Sequence, residues 1–347
     1  MGRRFRFPGW GLKIAIAVAA AAVAVLLSVL VVEGTHWVRL RNWGPHPGAA
    51  GIQFDRRLGW APVPDYFTPD HGGIQFNRNG YRSPEMVEDM ATIALIGDSV
   101  VFGIGLAGDE TPSAYLAEMA APHGLQVQNL GVAGFGLDQT YLRLHQEIDL
   151  LGALRWVVLV VCSDNDRENC RCNHAEGKRK PLFEIDGGGI RPTSIPISAN
   201  CARNHLETSP LGPWAWRLFG LWPADDWLPR MIGDRCLDDD RLDIVIERLI
   251  RSTADLATTK GARFSAVVIP HRQEYVGEPG LGEWWRQMLV RQGVELLDFW
   301  SHARELDLPV DQIYGDPVHL TPEGSRELAA FLAAHAEWPG DTAAGEG

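Results

Sequence analysis

The sequence has little positive charge for its length. Its 347 residues include 32 lysines and arginines against 44 aspartates and glutamates, which gives a formal net charge of −12 at pH 7. A nucleic-acid surface needs a basic patch, so this balance argues against nucleic acid as a partner. The hydrophobic fraction of 46% and the charged fraction of 22% are those of a globular protein with one large domain or two smaller ones.

The N-terminal region lacks a good small-x-small motif for signal-peptide cleavage. The apolar segment from Ile14 to Val32 is interrupted only by Ser28, and at ~1.5 Å per residue it spans just under ~30 Å, about one hydrocarbon core. We therefore expect a single-pass, uncleaved anchor in the inner (plasma) membrane, and a cleaved signal peptide is the alternative. The basic residues before the segment favour a cytoplasmic N-terminus, with everything after Glu33 on the periplasmic side. These residues are Arg3, Arg4, Arg6 and Lys13.

Cysteine is scarce, and the five cysteines are unevenly placed. Cys162 ends an apolar stretch and is expected to be a buried thiol. The other four lie in one irregular region and could form two disulfides in an oxidising compartment; they are Cys170, Cys172, Cys201 and Cys236. Zinc is the alternative, although the single residue between the first two cysteines is an atypical ligand spacing. The candidate ligands are Cys170, Cys172, His174, Cys201 and His205.

From residue 91 onward, apolar strands alternate with amphipathic helices. The pattern predicts strands at 92–96, 126–130, 156–161, 264–269 and 294–297. It predicts helices at 111–121, 137–151, 241–260, 281–292 and 321–334. Such alternation implies an α/β domain with a parallel sheet and helices on both faces.

The remaining segments complete the predicted domain organisation. Residues 1–35 form the cytoplasmic N-terminus and anchor, and residues 36–90 suggest short strands and turns packed on the main domain at 91–338. Within that domain, residues 163–238 form an insertion with four tryptophans, which we expect to build a satellite core, with sugar stacking or a membrane-contacting lid as alternatives. These are Trp214, Trp216, Trp222 and Trp227. The tail at 339–347 is predicted to be disordered.

One apolar run ends abruptly in polar residues that could perform chemistry. The run over 93–96 stops at Gly97-Asp98-Ser99, as a buried strand does when it reaches the edge of a sheet. Ligands of open α/β sheets bind at the carboxyl ends of strands, so Ser99 stands where a nucleophile is expected. The alternative is that Asp98 and Ser99 simply cap the next helix.

Three further loops follow predicted strands and could open on the same edge of the sheet. Gly134 ends a glycine-rich turn whose backbone N–H could face a substrate, although a tight turn needs the same glycines. Asn165 could donate a hydrogen bond to an anionic intermediate, or it could cap a helix. Asp316 could orient the ring of His319, whose other nitrogen would take a proton from a hydroxyl; a plain surface loop is the alternative.

Together these four loops resemble the SGNH hydrolases, also called the Gly-Asp-Ser-Leu esterase/lipase superfamily, over about residues 91–336. The resemblance implies a three-layer, flavodoxin-like α/β fold. It also implies that Ser99 is the nucleophile, that His319 is the general base and acid, and that Asp316 orients the histidine.

The same resemblance implies an oxyanion hole, formed by the backbone N–H groups of Ser99 and Gly134 and by the side chain of Asn165. The chain departs from the family pattern twice. Val100 stands where leucine is commonest, and Ser163 stands where the third block begins with glycine. The second departure leaves open how the chain turns around Asn165.

The resemblance also bears on the substrate. An acyl-serine mechanism needs no metal or cofactor. Residues 58–62 and 76–82 resemble a lead-in of membrane-anchored or exported bacterial relatives, some of which add or remove acetyl groups on exopolysaccharides. This implies an esterase for an acylated carbohydrate, with polysaccharide-synthesis proteins as partners. The alternatives are an O-acetyltransferase with the same triad, a non-catalytic carbohydrate-binding assembly protein, and a lipase acting on bilayer lipids.

One more histidine lies near the predicted site. His271 follows the strand predicted at 264–269, at the same edge of the sheet. No carboxylate neighbours it in the sequence, so we expect a structural or substrate-contacting role rather than a catalytic one.

Overall fold

The structure, a computed structural model, describes residues 9–43, 51–69, 73–163, 165–175, 178–197 and 235–339. The chain divides into two units that are described separately, Met1–Pro45 with Ala199–Ile232 and His46–Ser198 with Gly233–Gly347. Cys201, His205, the four tryptophans of the insertion and residues 340–347 of the predicted tail lie outside the described residues.

The described part of the first unit is one long helix, α1 (Gly9–Trp43). Its segment Lys13–Val32 has a mean hydropathy of 3.0 and no buried residues. This segment has the length and composition to cross a membrane, as the sequence predicts, and a signal sequence shares these two properties. The helix itself continues to Trp43, well beyond the end of the apolar segment.

The other strands and helices that the structure describes belong to the second unit. Its strands are β1 (Ile52–Asp55), β2 (Gly59–Pro62), β3 (Phe67–Thr68), β4 (Ile74–Gln75), β5 (Ala91–Gly97), β6 (Leu125–Asn129), β7 (Leu154–Cys162), β8 (His174–Ala175), β9 (Lys178–Arg179), β10 (Leu182–Asp186), β11 (Gly189–Thr193), β12 (Arg263–Ile269) and β13 (Glu295–Leu297). Its α-helices are α2 (Ser99–Phe102), α3 (Pro112–Ala120), α4 (Leu137–Glu147), α5 (Asp166–Asn169), α6 (Asp239–Thr259), α7 (Arg272–Tyr275), α8 (Gly282–Arg291), α9 (Phe299–Glu305), α10 (Val310–Ile313) and α11 (Pro322–Ala334).

A five-stranded parallel sheet lies at the centre of this unit, in the order β13-β12-β7-β5-β6. Numbered along the chain, these five strands have the flavodoxin-like order 2-1-3-4-5, so the predicted fold class is confirmed. The order changes direction between β5 and β7, because the chain adds β6 on one side of β5 and then returns to add β7 on the other. Ligands of such sheets bind at that point, outside the carboxyl ends of the strands.

Each face of the sheet carries its own hydrophobic core. Successive residues of a strand point to opposite faces, so Ala94 and Ile96 of β5 join one core while Ile93 and Leu95 join the other. The first core includes residues of α4, α6 and α8, and the second includes residues of α3, α9 and α11. These buried strands are apolar on both faces, which is why they appear in the sequence as continuous runs.

The predicted strands and helices of the main domain are present with small shifts at their ends. Thr111 caps α3 and Thr321 caps α11, each accepting a hydrogen bond from a backbone N–H three residues on. The helix expected at 137–151 ends earlier, at Glu147, and continues as a 3₁₀ turn. The sequence did not predict two short helices of the main domain, α9 and α10. It also did not predict the hairpin β10–β11, which lies within the insertion. The Asp-Gly pair at 186–187 is a recognised hairpin signal that marks the last of these.

Candidate active site

Ser99 lies where the central strand β5 turns into the short helix α2. The Asp98 side chain caps this helix by accepting a hydrogen bond of 2.9 Å from the Val100 N–H. Gly97 makes the turn with φ +156°, and a Cβ there would lie 2.5 Å from the Val160 carbonyl oxygen. Only glycine fits this close approach between neighbouring strands. Ser99 is 6% exposed, so this residue is largely buried at the carboxyl end of the sheet.

The structure brings the three predicted triad residues into one hydrogen-bonded line. The Ser99 Oγ lies 3.0 Å from the His319 Nε2, and the His319 Nδ1 lies 2.7 Å from the Asp316 Oδ2. Asp316 and His319 share a short loop between α10 and α11, whereas Ser99 comes from β5. This is the arrangement in which a histidine can accept the proton of a serine while a carboxylate holds its ring.

Asp316 is held in its ionised form by its own loop. Its Oδ1 accepts hydrogen bonds of 2.8 Å from the backbone N–H groups of Val318 and His319. Partial burial alone would raise the pKa of the Asp316 carboxyl, but these bonds, together with the ring and charge of His319, hold that pKa below its usual value. The carboxylate is therefore available to orient His319 throughout the neutral pH range.

The loop that carries His319 is anchored to the end of β12. The Tyr314 hydroxyl donates a 2.7 Å hydrogen bond to the Pro270 carbonyl, and the Arg272 N–H donates a 2.8 Å bond to the Pro317 carbonyl. His271 lies between these two anchors. Its Nδ1 accepts a 3.2 Å bond from the Gln273 N–H and so caps α7, which agrees with the expected structural role.

The glycine turn after β6 is fixed by a buried asparagine. Asn129 accepts a 3.0 Å bond from the Gly131 N–H and donates a 2.6 Å bond to the Val101 carbonyl of α2. Gly134 follows in the left-handed region with φ +77°, and its carbonyl accepts a 3.3 Å bond from the Asn169 side chain. The turn is thereby bonded both to α2 and to α5.

Asn165, the third predicted oxyanion donor, is the residue that begins α5 after β7. Its carbonyl accepts the 2.8 Å bond from the Asn169 N–H that starts the helix. Among the described residues no hydrogen-bond partner reaches the buried Oδ1 of its side chain. Asn165 occupies the N-cap position of α5, but its side chain makes no capping hydrogen bond there. Its neighbour Asp164 lies outside the described residues.

Ser163 has a specific role where the family pattern has glycine. Its hydroxyl binds the buried carboxylate of Glu274 and accepts a 2.9 Å bond from the His271 N–H. Glu274 also accepts a 2.6 Å bond from the Gly282 N–H. The serine thus joins the end of β7 to the end of β12. Sequence reasoning missed Glu274 because its partner lies 111 residues away and no local pattern marks the contact.

Residues of the lead-in before the main sheet form hydrogen bonds to the loops that carry the predicted site. Trp60 donates a 3.0 Å bond from its indole N–H to the carbonyl of Ala133, next to Gly134 in the glycine turn. The buried guanidinium of Arg82 donates bonds of 2.8, 2.6 and 2.7 Å to backbone carbonyls at and after the end of α2, those of Phe102, Gly103 and Leu106. Both residues therefore satisfy carbonyls of the loops that carry the predicted site.

The sequence of the catalytic domain matches one family model over residues 95–327, the GDSL-like lipase/acylhydrolase family. The chain belongs to this family. The match covers most of the chain and includes all five predicted site residues. The family resemblance predicted from the four loops is therefore confirmed.

Several solved structures are similar to this GDSL-family chain at low sequence identity. A lipolytic protein of the G-D-S-L family from Veillonella parvula is 11% identical, with 70% of this chain and 97% of that chain covered and a TM-score of 0.39. The acetylxylan esterase Axe2 from Geobacillus stearothermophilus is 14% identical, with 73% and 98% covered and a TM-score of 0.40. A lipase/acylhydrolase from Enterococcus faecalis is 12% identical, with 71% and 95% covered and a TM-score of 0.39. No curated protein resembles the chain closely enough in sequence to be matched.

The cysteines of this GDSL-family chain do not pair as two disulfides. Cys172 is bonded to Cys236, and Cys170 keeps a buried thiol next to Asp138. Burial and the Asp138 charge raise the pKa of the Cys170 thiol well above its usual value, so it stays protonated and unreactive. The possibility of two disulfides among these four residues is not borne out, because Cys170 is in no disulfide; Cys201 lies outside the described residues. Cys162 is buried and outside any disulfide, as predicted.

The zinc alternative is limited by the same disulfide. The side chains of Cys172, His174 and Cys236 place their ligand atoms within 4.8 Å of one another. The two sulfur atoms are joined to each other, however, and a disulfide offers no thiolate to a metal ion. This cluster differs from the ligand set suggested by the sequence, because it includes Cys236, and in this structure Cys172 and Cys236 form a covalent link between the two ends of the insertion.

Removing that link should lower stability. The disulfide joins residues 64 apart, and backbone hydrogen bonds pair the flanking segments 171–173 and 235–237. A cross-link of this span restricts the unfolded chain, so the double variant Cys172→Ser/Cys236→Ser should lose about 4 kcal/mol of unfolding free energy. The measurement is chemical denaturation with and without a reductant. Reductant should destabilise the wild type and leave the double variant unchanged; equal midpoints for the wild type in both conditions would contradict this.

Proposed function

We propose that the chain is an extracytoplasmic serine esterase that removes O-acetyl groups from a carbohydrate through an acyl-serine intermediate. The observation that carries this proposal is the line from the Asp316 carboxylate through the His319 ring to the Ser99 hydroxyl, with contacts of 2.7 and 3.0 Å. The line ends at the switch point of the sheet, where the Val132 N–H of the glycine turn donates a 3.2 Å bond to the Gly97 carbonyl at the end of β5.

In the first half of the reaction, the Ser99 Oγ attacks the ester carbonyl while His319 Nε2 takes the hydroxyl proton. Negative charge develops on the former carbonyl oxygen. Donors for it are the backbone N–H groups of Ser99 and Gly134 and the Asn165 amide, each of which could contribute about 3 kcal/mol to stabilising the transition state. The intermediate then expels the sugar oxygen, which takes the proton from His319, and Ser99 retains the acetyl group.

In the second half, His319 takes a proton from an incoming hydroxyl, whose oxygen attacks the acetyl-Ser99 ester. The bond between the acetyl carbon and the Ser99 Oγ then breaks, and His319 returns the proton to Oγ. Water as the acceptor releases acetate and makes the protein an esterase. A sugar hydroxyl as the acceptor makes it an O-acetyltransferase. The protein groups perform the same proton transfers in both cases, so only the identity of the acceptor distinguishes the two activities.

Two observations support placement outside the cytoplasm, on an N-terminal membrane anchor. The apolar segment Lys13–Val32 of α1 is long enough to cross a bilayer, and four basic residues precede or begin it. The disulfide between Cys172 and Cys236 is of a kind that forms and persists in oxidising compartments such as the bacterial periplasm. Carbohydrate as the substrate class rests on the lead-in around Trp60 and Arg82, which resembles that of exported relatives.

Replacing the nucleophile should abolish turnover without unfolding the protein. Ser99→Ala should reduce hydrolysis of p-nitrophenyl acetate by at least about 10⁴-fold, because no other group attacks the carbonyl. A fluorophosphonate probe should label the wild type and the control Ser301→Ala, an exposed serine on α9, but not Ser99→Ala. Activity retained by folded Ser99→Ala would remove this residue from the mechanism, and a folded wild type that is never labelled would favour a non-catalytic carbohydrate-binding protein.

The oxyanion hole predicts a second, different effect. Asn165→Ala should lower kcat by about 10²- to 10³-fold with little change in KM, because its amide acts on charge that is present only in the transition state. Asn165→Asp should be at least as impaired, since a carboxylate would repel the oxyanion. Steady-state kinetics on p-nitrophenyl acetate measure both. A rise in KM at constant kcat would instead assign Asn165 to substrate binding.

The substrate class can be decided by comparing esters. Acetylated oligosaccharides should be hydrolysed with a kcat/KM at least about tenfold above that for long-chain p-nitrophenyl esters. The reason is that each methylene group that does not fit a pocket lowers the binding free energy by about 1–3 kcal/mol. Ser99→Ala serves as the blank. Preference for long-chain esters would point to a lipase instead. Acetyl transfer to added oligosaccharide at the expense of acetate release, followed by mass spectrometry, would identify an acetyltransferase.

A further inference from the structure

A second carboxyl group touches the nucleophile. The Asp98 Oδ2 lies 3.1 Å from the Ser99 Oγ, on which His319 Nε2 also converges at 3.0 Å. The other oxygen of Asp98, Oδ1, is occupied by the Val100 N–H. Asp98 is only 1% exposed. The Ser99 hydroxyl thus has a single hydrogen and two neighbours that could each accept it.

The direction of these hydrogen bonds decides whether Ser99 is ready to react. His319 Nδ1 faces the Asp316 carboxylate, so this nitrogen carries the proton and Nε2 is an acceptor. The Ser99 O–H must therefore point at Nε2 for the proton transfer. An ionised Asp98 would compete for the same hydrogen, and its negative charge would also oppose the alkoxide that forms on Oγ.

The surroundings of Asp98 disfavour its ionised form. Burial raises the pKa of Asp98, although hydrogen bonds from Val100 and Ser99 and the charge of His319 act in the opposite direction. Asp166, also buried, acts on the same site from the end of β7, and its own pKa is raised well above the usual value by burial and by the charges of Asp98 and Asp138. Because each charge disfavours the other, these two buried carboxyls do not both ionise readily, and the larger rise in pKa falls on Asp166.

Among the described residues, no cation forms an ion pair with Asp166. Its Oδ2 accepts a 2.9 Å bond from the Cys162 N–H, and no hydrogen-bond partner within the described ranges reaches its buried Oδ1. The contrast is Asp138, which is buried to the same degree but is paired with the Lys180 ammonium. Of the described groups, the His319 ring is the cation that acts on Asp98, and it is charged only when the ring is protonated.

We propose that Asp98 is a neutral carboxylic acid that donates a hydrogen bond from Oδ2 to the Ser99 Oγ. The hydrogen bonds then run in one direction, from the Asp98 O–H to the Ser99 oxygen and from the Ser99 O–H to His319 Nε2. This inference rests on the proposed function in assigning Ser99 as the nucleophile. The Asp98 donor stays in place when Oγ loses its proton, so it stabilises the alkoxide during attack and again when acetyl-Ser99 is hydrolysed.

The conservative variant Asp98→Asn tests the proposal, because an amide keeps both hydrogen bonds but cannot carry a charge. Its carbonyl oxygen can accept from the Val100 N–H and its NH₂ can donate to Oγ. We expect kcat to fall by only about three- to tenfold in Asp98→Asn and by about 10²-fold in Asp98→Ala, which has no donor. Rescue of activity by Asn relative to Ala, in variants with wild-type circular dichroism, supports a neutral donor. Equal loss in the two variants would overturn it.

Infrared spectroscopy gives a readout that does not depend on turnover. The wild type at pH 7 should show a carboxylic-acid C=O band that Asp98→Asn removes and that the exposed control Asp255→Asn, on α6, leaves intact. If Asp98→Asn removes no such band, the inference fails whatever the activity of the enzyme. If the band is removed but the wild type turns over no ester, the proposed function fails while the neutral state of Asp98 stands.

Discussion

The site depends on the change of direction in the sheet between β5 and β7. The chain leaves β5, crosses one face to build β6, and then crosses the other face to build β7 on the opposite side of β5. The helices of these crossovers, α3 and α4, accordingly belong to different hydrophobic cores. Since parallel crossovers are right-handed, this order opens a crevice at the carboxyl ends of β5 and β7. Ser99 and Asn165 begin their helices at the two sides of that crevice.

Residues outside the parallel sheet make this crevice rigid. The loops that carry the site expose backbone carbonyls inside the protein, and each buried carbonyl needs a donor. Trp60, Arg82 and Arg143 supply such donors from the lead-in and from α4. The carbonyl acceptors of Arg143 are those of Leu130 in the glycine turn and Gly80 in the lead-in. The lead-in is therefore part of the scaffold of the site and not merely a connection to the first unit.

The sequence predicted the sheet and the loops well because both leave local patterns. Buried parallel strands are continuous apolar runs, and helix caps such as Thr111 and Thr321 are visible within a few residues. The Asp316 and His319 pair was also recognisable, because three residues on one loop suffice to join them. The contacts that fix the site were not. Glu274 reaches Ser163 across 111 residues, and Trp60 reaches Ala133 across 73, distances over which no periodicity carries information.

The cysteines illustrate the same limit. Spacing along the chain grouped Cys170 with Cys172, but residues two apart on an irregular segment can point to different surroundings. Cys172 faces Cys236 on the segment before α6, whereas Cys170 turns into the core towards Asp138. Only the direction of the side chains separates a disulfide from a buried thiol, and this direction is set by the fold.

Two buried carboxyl groups, those of Asp138 and Asp98, differ in whether a cation pairs with them. Lys180 donates to Asp138 and to the carbonyls of Cys172 and Pro181, so all three ammonium hydrogens have acceptors and the buried ion pair is complete. In the part of the chain that the structure describes, no such cation pairs with Asp98, which lies against Ser99 instead. A buried charge without a partner is disfavoured far more than a neutral acid with hydrogen bonds. The absence of such a partner favours the neutral form of Asp98, in which the carboxyl group can donate to the Ser99 oxygen.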